Sequence, residues 1–165
     1  MESQVRGVGR TARGVRGINL GAGHKLIPLI VPKVAGRILT VTEHGYGKRT
    51  ENDEFPAKGR GGKGVIAMST SDRNGSLVGA VQVWDGDEMM LISNQGTAVR
   101  TRVDEVSLLG RNTQGVRVIR TRDGEALVSV SRIAEDDIVA EPAEAVVADP
   151  VAEDSVDSGS DETQE

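Results

Sequence analysis

The sequence predicts an all-β protein, a propeller-like array of about three four-stranded blades followed by a disordered C-terminal tail. Three observations support this class. A glycine-rich motif recurs at a period of about 50 residues, which is typical of stacked or radially arranged units. Short runs rich in Val, Ile and Leu alternate with glycine-containing turns, as in all-β domains. After residue 133 the basic residues stop and acidic residues dominate.

The repeated motif consists of Gly-Arg, two small or polar residues, one long polar residue, and Gly-Val. It occurs at 9–15, 59–65 and 110–116. The glycine before the final Val of the motif recurs after 50 residues, from Gly14 to Gly64, and after 51 residues, from Gly64 to Gly115. Units of this kind cannot cover their apolar faces alone and need neighbours. Radial repetition of about four short strands is how propeller-like folds arrange their blades.

Charge is divided between two parts of the chain. Residues 1–133 hold all 20 Lys and Arg and 13 Asp and Glu, whereas 134–165 hold 12 acids and no base. A basic body favours a polyanionic partner. The acidic, Pro-containing end cannot bury enough apolar surface to fold, so we expect 134–165 to be disordered.

The first unit begins with a run at 26–31 that predicts a strand, which Pro28 limits to a sheet edge or a bulge. Arg37–Thr42 alternates and contains β-branched residues, so it predicts a second strand. A turn at His44-Gly45 then leads into a returning strand over 46–50.

The later units repeat this order. In the second unit, Asn74-Gly75 lies between apolar runs and predicts a hairpin. The strands predicted for the second and third units are 65–68, Leu77–Val83, Glu88–Ser93, 97–102, 116–120 and 126–130. These strands predict a partial propeller over 1–133 with blade-like repeats at about 6–52, 53–104 and 105–133. Because the first unit starts within its motif and the third is incomplete, we expect the C-terminal piece of a longer protein.

Several motifs that could carry other chemistry lack the context that such chemistry requires. Gly59-x-Gly61-x-x-Gly64 matches the dinucleotide fingerprint, but that fingerprint needs a strand before it and a helix after it. The two histidines are isolated in sequence, Tyr46 lies between two glycines, and there is no cysteine. We therefore expect no catalytic residue and no metal ligand in this chain.

Positive charge recurs at equivalent positions of the units, and radial symmetry would turn such positions into a belt. A belt of Lys and Arg can follow a phosphate backbone, with glycine amides and Thr hydroxyls allowing close approach. Such a surface binds through charge and DNA bending rather than base sequence. The candidate DNA-binding residues are Arg10, Arg13, Arg16, Lys48, Arg49, Arg60, Lys63, Arg100, Arg102 and Arg111.

Several of these strings resemble the C-terminal domain of the DNA gyrase A subunit, a six-bladed β-pinwheel that wraps DNA. The resemblance covers about residues 3–133 and includes an acidic tail. The gyrase box Gln-Arg/Lys-Arg-Gly-Gly-Lys-Gly is matched only at 60–64, because Lys58 and Gly59 replace its first two residues. The strings that carry the resemblance are 9–17, 45–50, 78–83, 100–103 and 106–116.

The resemblance implies double-stranded DNA, the rest of the A subunit and the gyrase B subunit as partners. It also implies negative supercoiling by the whole enzyme, with ATP and Mg²⁺ used outside this chain and no cofactor in it. Since the sequence contains no signal peptide and no apolar run long enough to span a bilayer, we expect a cytoplasmic protein associated with the bacterial nucleoid.

Two alternatives remain at this stage. The A subunit of topoisomerase IV has a related C-terminal pinwheel that lacks the box. A propeller-type protein-interaction scaffold without a DNA role belongs to a different class. Salt-dependent duplex binding separates the scaffold from the DNA-binding proteins, because a scaffold has no reason to lose DNA affinity steeply with salt.

Overall fold

A computed structural model describes residues 5–33 and 35–135, and these residues form an all-β structure, as predicted. Two short 3-10 turns, Asn52–Glu54 and Val103–Glu105, follow the second strand of each of two hairpins. The strands are β1 (Arg37–Thr42), β2 (Tyr46–Glu51), β3 (Leu77–Val83), β4 (Glu88–Ser93), β5 (Ala98–Arg102), β6 (Val116–Arg117) and β7 (Leu127–Ile133).

The strands form two antiparallel sheets. The first has the order β3-β1-β2-β6, and the second has the order β5-β4-β7. Each sheet is built on a hairpin, β1-β2 or β4-β5, whose first strand also pairs with a strand much later in the sequence. The sheets therefore depend on pairing between neighbouring sequence units as well as within them.

The pairing register repeats along with the sequence. Arg37 of β1 lies opposite Val83 of β3, and the register shifts between Val41 and Thr42. In the second sheet the equivalent shift occurs between Ile92 and Ser93, 51 residues later. The structure thus confirms that the two hairpins are copies of one unit. The strand β3 crosses the predicted unit boundary at 52/53 to join the first sheet, and the predicted blade boundaries themselves stay a prediction.

The core cluster lies between the two sheets, and its buried members among the described residues are all aliphatic or Met. Its buried members are Leu39, Val41, Val83, Met89, Leu91, Val103, Val106, Leu127 and Val130. The sheets approach closely where Gly79 of β3 faces Val130 of β7. A Cβ atom at Gly79 would lie 2.4 Å from Val130 Cγ1, so this approach requires glycine.

Two predicted strands are wrong. Residues 26–31 form no strand, and most of their apolar side chains are exposed; Leu29, for example, is 92% exposed. One repeat later, the equivalent segment forms β3, which pairs with β1, a strand that begins 40 residues before it. No strand of the described residues pairs with 26–31.

Residues 65–68 also form no strand, although Gly75 has the positive φ of 73° that the predicted turn requires. The hairpin predicted around Asn74-Gly75 does not form, because β3 pairs with β1 instead. The strand predicted at 116–120 is shorter than expected and comprises Val116–Arg117 alone. The disordered tail predicted for 134–165 lies outside the described residues except for Ala134 and Glu135.

The turns that precede β3 and β7 are closed by side chains 51 residues apart. Before β3, Asn74 Oδ1 accepts a hydrogen bond from the Ser71 amide at 2.7 Å. Before β7, the Glu125 carboxylate accepts from the Arg122 amide at 3.0 Å and from the Ser93 hydroxyl at 2.6 Å. Hydrogen bonds from Ser93 and Thr97 lower the pKa of Glu125 from 4.5 to about 2.

We expect Gly79→Ala to lower the free energy of unfolding by about 1–3 kcal/mol, because its Cβ overpacks the interface with Val130. The measurement is urea unfolding followed by the fluorescence of Trp84, the single tryptophan. Adding Val130→Ala should recover part of the loss relative to the sum of the two single changes. Gly7→Ala is the control, because no atom lies within 4 Å of its Cβ position. An unchanged stability in Gly79→Ala contradicts the close approach.

We expect the stability conferred by Glu125 to be lost in acid. Its folded pKa lies below 4.5, so the stabilisation is present above that pH and disappears as the pH falls toward about 2. The melting temperature of Glu125→Gln should therefore be lower than wild type at neutral pH, with the difference shrinking over this window. The exposed Asp123→Asn in the same turn is the control. A difference that does not change with pH argues against an ionised Glu125 in these hydrogen bonds.

Candidate nucleic-acid interface

The three copies of the repeated motif fold into the same tight turn, which we call the Gly-Arg turns one (9–14), two (59–64) and three (110–115). In each, the turn occupies the same positions, residues 10–12, 60–62 and 111–113. Each turn ends on a glycine with a φ of 76–80° (Gly14, Gly64 and Gly115), a conformation that favours glycine over every other residue. The motif therefore records a backbone requirement as well as a charge pattern.

Successive Gly-Arg turns are linked by equivalent backbone hydrogen bonds. The amide of Asn19, five residues after turn one, donates to Gly62 O in turn two at 2.8 Å. The amide of Ser69, five residues after turn two, donates to Thr113 O in turn three at 3.0 Å. Each turn thus lies against the segment that leaves the preceding one, which places the three turns in series.

Turns one and two, together with the segment that follows turn one, expose their basic side chains. The residues concerned are Arg10, Arg13, Arg16, Arg60 and Lys63. All five were predicted from the sequence to bind DNA. The backbone around them is glycine-rich, so a polyanion can approach the main chain closely.

Lys48 differs from the sequence-based expectation because the structure buries it completely. Its ammonium group lies inside turn three. It donates to Gly110 O at 2.6 Å, to Thr113 O at 3.3 Å, to Thr113 Oγ1 at 3.2 Å and to Arg111 O. Burial lowers the pKa of Lys48 to about 8. Lys48 therefore holds the turn together and is not part of the exposed basic surface.

Two of the other predicted arginines have partners within the protein. The side chain of Arg49 is 12% exposed, donates to Val106 O at 2.7 Å and pairs with Asp85 at 2.8 Å. Arg111 donates to Ile66 O at 2.8 Å. These hydrogen bonds tie β2 and turn three to neighbouring loops.

Arg100 and Arg102 on β5 remain largely exposed but form ion pairs. Arg100 pairs with Glu88 on the neighbouring strand, and Arg102 pairs with Asp104 at 2.7 Å. Exposed pairs of this kind contribute little to stability. A phosphate that binds either arginine has to displace a carboxylate.

Sequence reasoning missed two arginines that converge on Tyr46. Arg73 and Arg117 both donate to the Tyr46 hydroxyl, from positions 27 and 71 residues away in the sequence. Arg117 follows the third motif copy at the position that Arg16 holds after the first, which is a signal that could have identified it; Arg73 lies outside the repeated strings. Tyr46, for which the sequence indicates no catalytic role, is buried at the start of β2, with 3% of its surface exposed.

Other site types find no support in the described part of the chain. No strand precedes and no helix follows Gly59–Gly64 over residues 55–76, so the dinucleotide context is missing there. Within residues 5–33 and 35–135, no three His, Cys, Asp or Glu side chains are grouped so that they could hold a metal ion. The same ranges contain no helix with the length and apolar character needed to cross a membrane.

Comparison with known proteins identifies the family. The sequence model of the DNA gyrase C-terminal domain, a β-propeller, matches residues 2–33, 36–83 and 87–134. The chain belongs to the DNA gyrase C-terminal domain family. The three matched segments correspond to the three motif-bearing parts of the sequence. The resemblance that the repeated strings indicated is therefore confirmed.

Relatives and solved structures agree with this family. The DNA gyrase A subunits of Pseudomonas aeruginosa and Escherichia coli are 59% and 55% identical over 134 residues. These alignments cover 81% of this chain but only 14% and 15% of the relatives' length. The chain therefore spans a small part of the gyrase A subunits that it matches.

Two solved structures share the fold over most of the chain. The gyrase A C-terminal domain superposes with a TM-score of 0.72 at 32% identity, covering 79% of this chain and 45% of that one. The C-terminal domain of DNA topoisomerase IV gives 0.73 at 25% identity, covering 82% and 43%. The fold is therefore common to both, and the higher sequence identity lies with gyrase A.

We expect Lys48→Met to lower the free energy of unfolding by roughly 2–4 kcal/mol, because the charged hydrogen bonds from its buried ammonium group to turn three are lost. The matched control is Lys63→Met at an exposed lysine of turn two, which should change stability by about 0.5 kcal/mol or less. Urea unfolding measures both changes. A Lys48→Met variant as stable as wild type contradicts the structural role of the ammonium group.

The pH dependence gives a second test of the same burial. The folded pKa of Lys48 is about 8 and its ordinary value is 10.5, so between these pH values the unfolded chain binds more protons. Wild type should therefore gain stability relative to Lys48→Met as the pH rises through this window.

Proposed function

We propose that this chain binds and wraps double-stranded DNA as part of the A subunit of a DNA gyrase. The observation that carries the proposal is the series of Gly-Arg turns. Turns one and two, with Arg16 beside turn one, expose five basic side chains, and hydrogen bonds between the units fix the order of the turns. A series of cationic turns supplies regularly placed ligands for a phosphate backbone.

The proposed interactions are with phosphates rather than with base edges. Arg10, Arg13 and Arg16 lie in backbone that contains neither helix nor strand, so no element of this region is shaped to enter a groove. Binding of this kind depends on counterion release and on how readily the duplex bends. Both suit a domain that holds DNA along its surface.

Membership of the DNA gyrase C-terminal domain family supports a proposal about the whole enzyme and its subunits. We propose that the rest of the A subunit and the B subunit are its partners, and that the whole enzyme carries out ATP-dependent negative supercoiling. ATP and Mg²⁺ are then used outside this chain, which supplies no cofactor site. A role on DNA places the protein in the bacterial cytoplasm, associated with the nucleoid. The higher identity to gyrase A subunits favours gyrase over topoisomerase IV.

We expect the full chain to bind duplex DNA with an affinity that falls steeply as salt concentration rises. Replacing Arg13 and Lys63 with Gln together should weaken binding. It should also reduce the slope of log affinity against log salt by about 0.9 for each phosphate that the variant no longer neutralises. The measurement is a fluorescence-anisotropy titration of a labelled duplex at several salt concentrations.

The control for this titration is Lys25→Gln, which removes one exposed charge outside the Gly-Arg turns. It should change the affinity and the salt slope less than either Arg13→Gln or Lys63→Gln. A folded wild-type chain without salt-dependent duplex binding would falsify the proposed function and favour the protein-interaction scaffold.

A further inference from the structure

A pair of arginines outside the Gly-Arg turns is held in place by the only tyrosine of the chain. The Tyr46 hydroxyl accepts a hydrogen bond from Arg73 Nε at 3.2 Å and another from Arg117 Nη2 at 2.8 Å. The guanidinium carbons lie 5.1 Å and 5.2 Å from the centre of the Tyr46 ring, within the range of cation–π attraction. One buried ring therefore fixes two positive charges.

The three residues come from different parts of the fold, so their meeting depends on tertiary structure. Tyr46 begins β2, and Arg117 lies opposite it on β6. Arg73 belongs to the loop that precedes β3. Nothing in the next repeat reproduces the arrangement, because the positions 51 residues after Tyr46 and Arg73 are Thr97 and Gly124. The repeated DNA-binding pattern does not account for this cluster.

Bringing two guanidinium groups together costs electrostatic energy unless an anion offsets their repulsion. No acidic side chain forms an ion pair with Arg73 or Arg117 in the part of the chain that the structure describes. The nearby carboxylate of Glu43 instead accepts a hydrogen bond from the Ser76 amide at 2.7 Å. Both arginines are exposed residues.

We propose that Arg73 and Arg117, held by Tyr46, form a phosphate-binding site that takes one phosphodiester group of duplex DNA. Arginine is suited to this ligand because its planar fork of donors matches phosphate oxygens. Two guanidinium groups that share one acceptor lie close enough to bind different oxygens of a single phosphate. Because Tyr46 fixes both side chains in advance, less conformational entropy is lost on binding.

This site rests on the proposed DNA binding but is separate from the Gly-Arg turns. It adds a phosphate ligand that the sequence motif does not encode. The alternative is that the two arginines serve only to pack Tyr46 between β6 and the loop before β3. That alternative predicts a loss of stability without a specific loss of DNA affinity.

The test uses the full chain and measures duplex affinity at several salt concentrations, together with the melting temperature. We expect Arg73→Gln and Arg117→Gln each to weaken DNA binding by roughly five- to tenfold and to reduce the salt slope by at most about 0.9, the value for the one phosphate that the site neutralises. Arg122→Gln, which removes an exposed charge from the turn before β7, is the matched control and should have a smaller effect.

Tyr46→Phe gives a second variant that changes no charge. It keeps the ring but removes the shared acceptor, so the two arginines lose their fixed positions. We expect roughly two- to threefold weaker DNA binding from this loss of preorganisation. If the folded Arg73→Gln, Arg117→Gln and Tyr46→Phe variants bind DNA as the Arg122→Gln control does, the site is wrong while the proposed function stands.

A probe without DNA separates failure of the site from failure of the proposed function. Hydrogen bonds from Arg117 and Arg73 lower the pKa of Tyr46, and a phosphate that competes for these donors should raise it again. NMR of the chain with isotope-labelled tyrosine measures the pKa of Tyr46, because Tyr46 is the only tyrosine and gives one signal. If wild type fails to bind duplex, a titration with inorganic phosphate, followed by the Tyr46 signal, tests the anion site by itself. A shift that is lost in Arg73→Gln supports an anion site, and the lack of any shift overturns it.

Discussion

The structure depends on antiparallel pairing between strands of neighbouring sequence repeats. β1 pairs with β3 and β4 pairs with β7, with a register shift at the same position of each pair. Because the partner strand comes from the following repeat, a long connection has to link each hairpin to the strand that completes its sheet. The connection from β2 to β3 carries Gly-Arg turn two, and the connection from β5 to β7 carries turn three. The same constraint that builds the sheets thus spaces the basic turns.

This connection places a tight turn against a strand, and the polar backbone of the turn then has to be satisfied. Three carbonyl groups of turn three converge on one position, which Lys48 fills. Moving an ammonium group out of water costs free energy, and the lowered pKa of Lys48 reflects that cost. The hydrogen bonds offset part of this cost, because bonds from a charged donor are stronger than those between neutral groups. The charge of Lys48 therefore serves the fold, although its position in the repeat indicated a ligand for DNA.

Local sequence patterns predicted the strands that form the hairpins, and long-range pairing decided the rest. Arg37–Thr42, Leu77–Val83 and Glu88–Ser93 are strands with the predicted bounds. Asn74-Gly75 predicted a hairpin with the preceding run, since a two-residue turn between apolar segments is the usual local solution. In the structure, β3 instead buries Val83 against β1 and the core. A pattern read within one unit cannot reveal that the partner lies in another unit.

Side-chain roles were harder to predict than strands, because equivalent positions in a repeat meet different surroundings. Arg49 and Arg100 are 51 residues apart, yet Arg49 is mostly buried among backbone acceptors whereas Arg100 is exposed beside Glu88. One repeat after Lys48 stands Val99, which has no charge to offer. The units therefore share backbone geometry more strictly than side-chain function. Arg73 shows the converse, since it lies outside the repeated strings and still meets Arg117 at one hydroxyl. Periodicity identifies the positions where charge recurs, and tertiary structure decides which of those charges remain available to a phosphate.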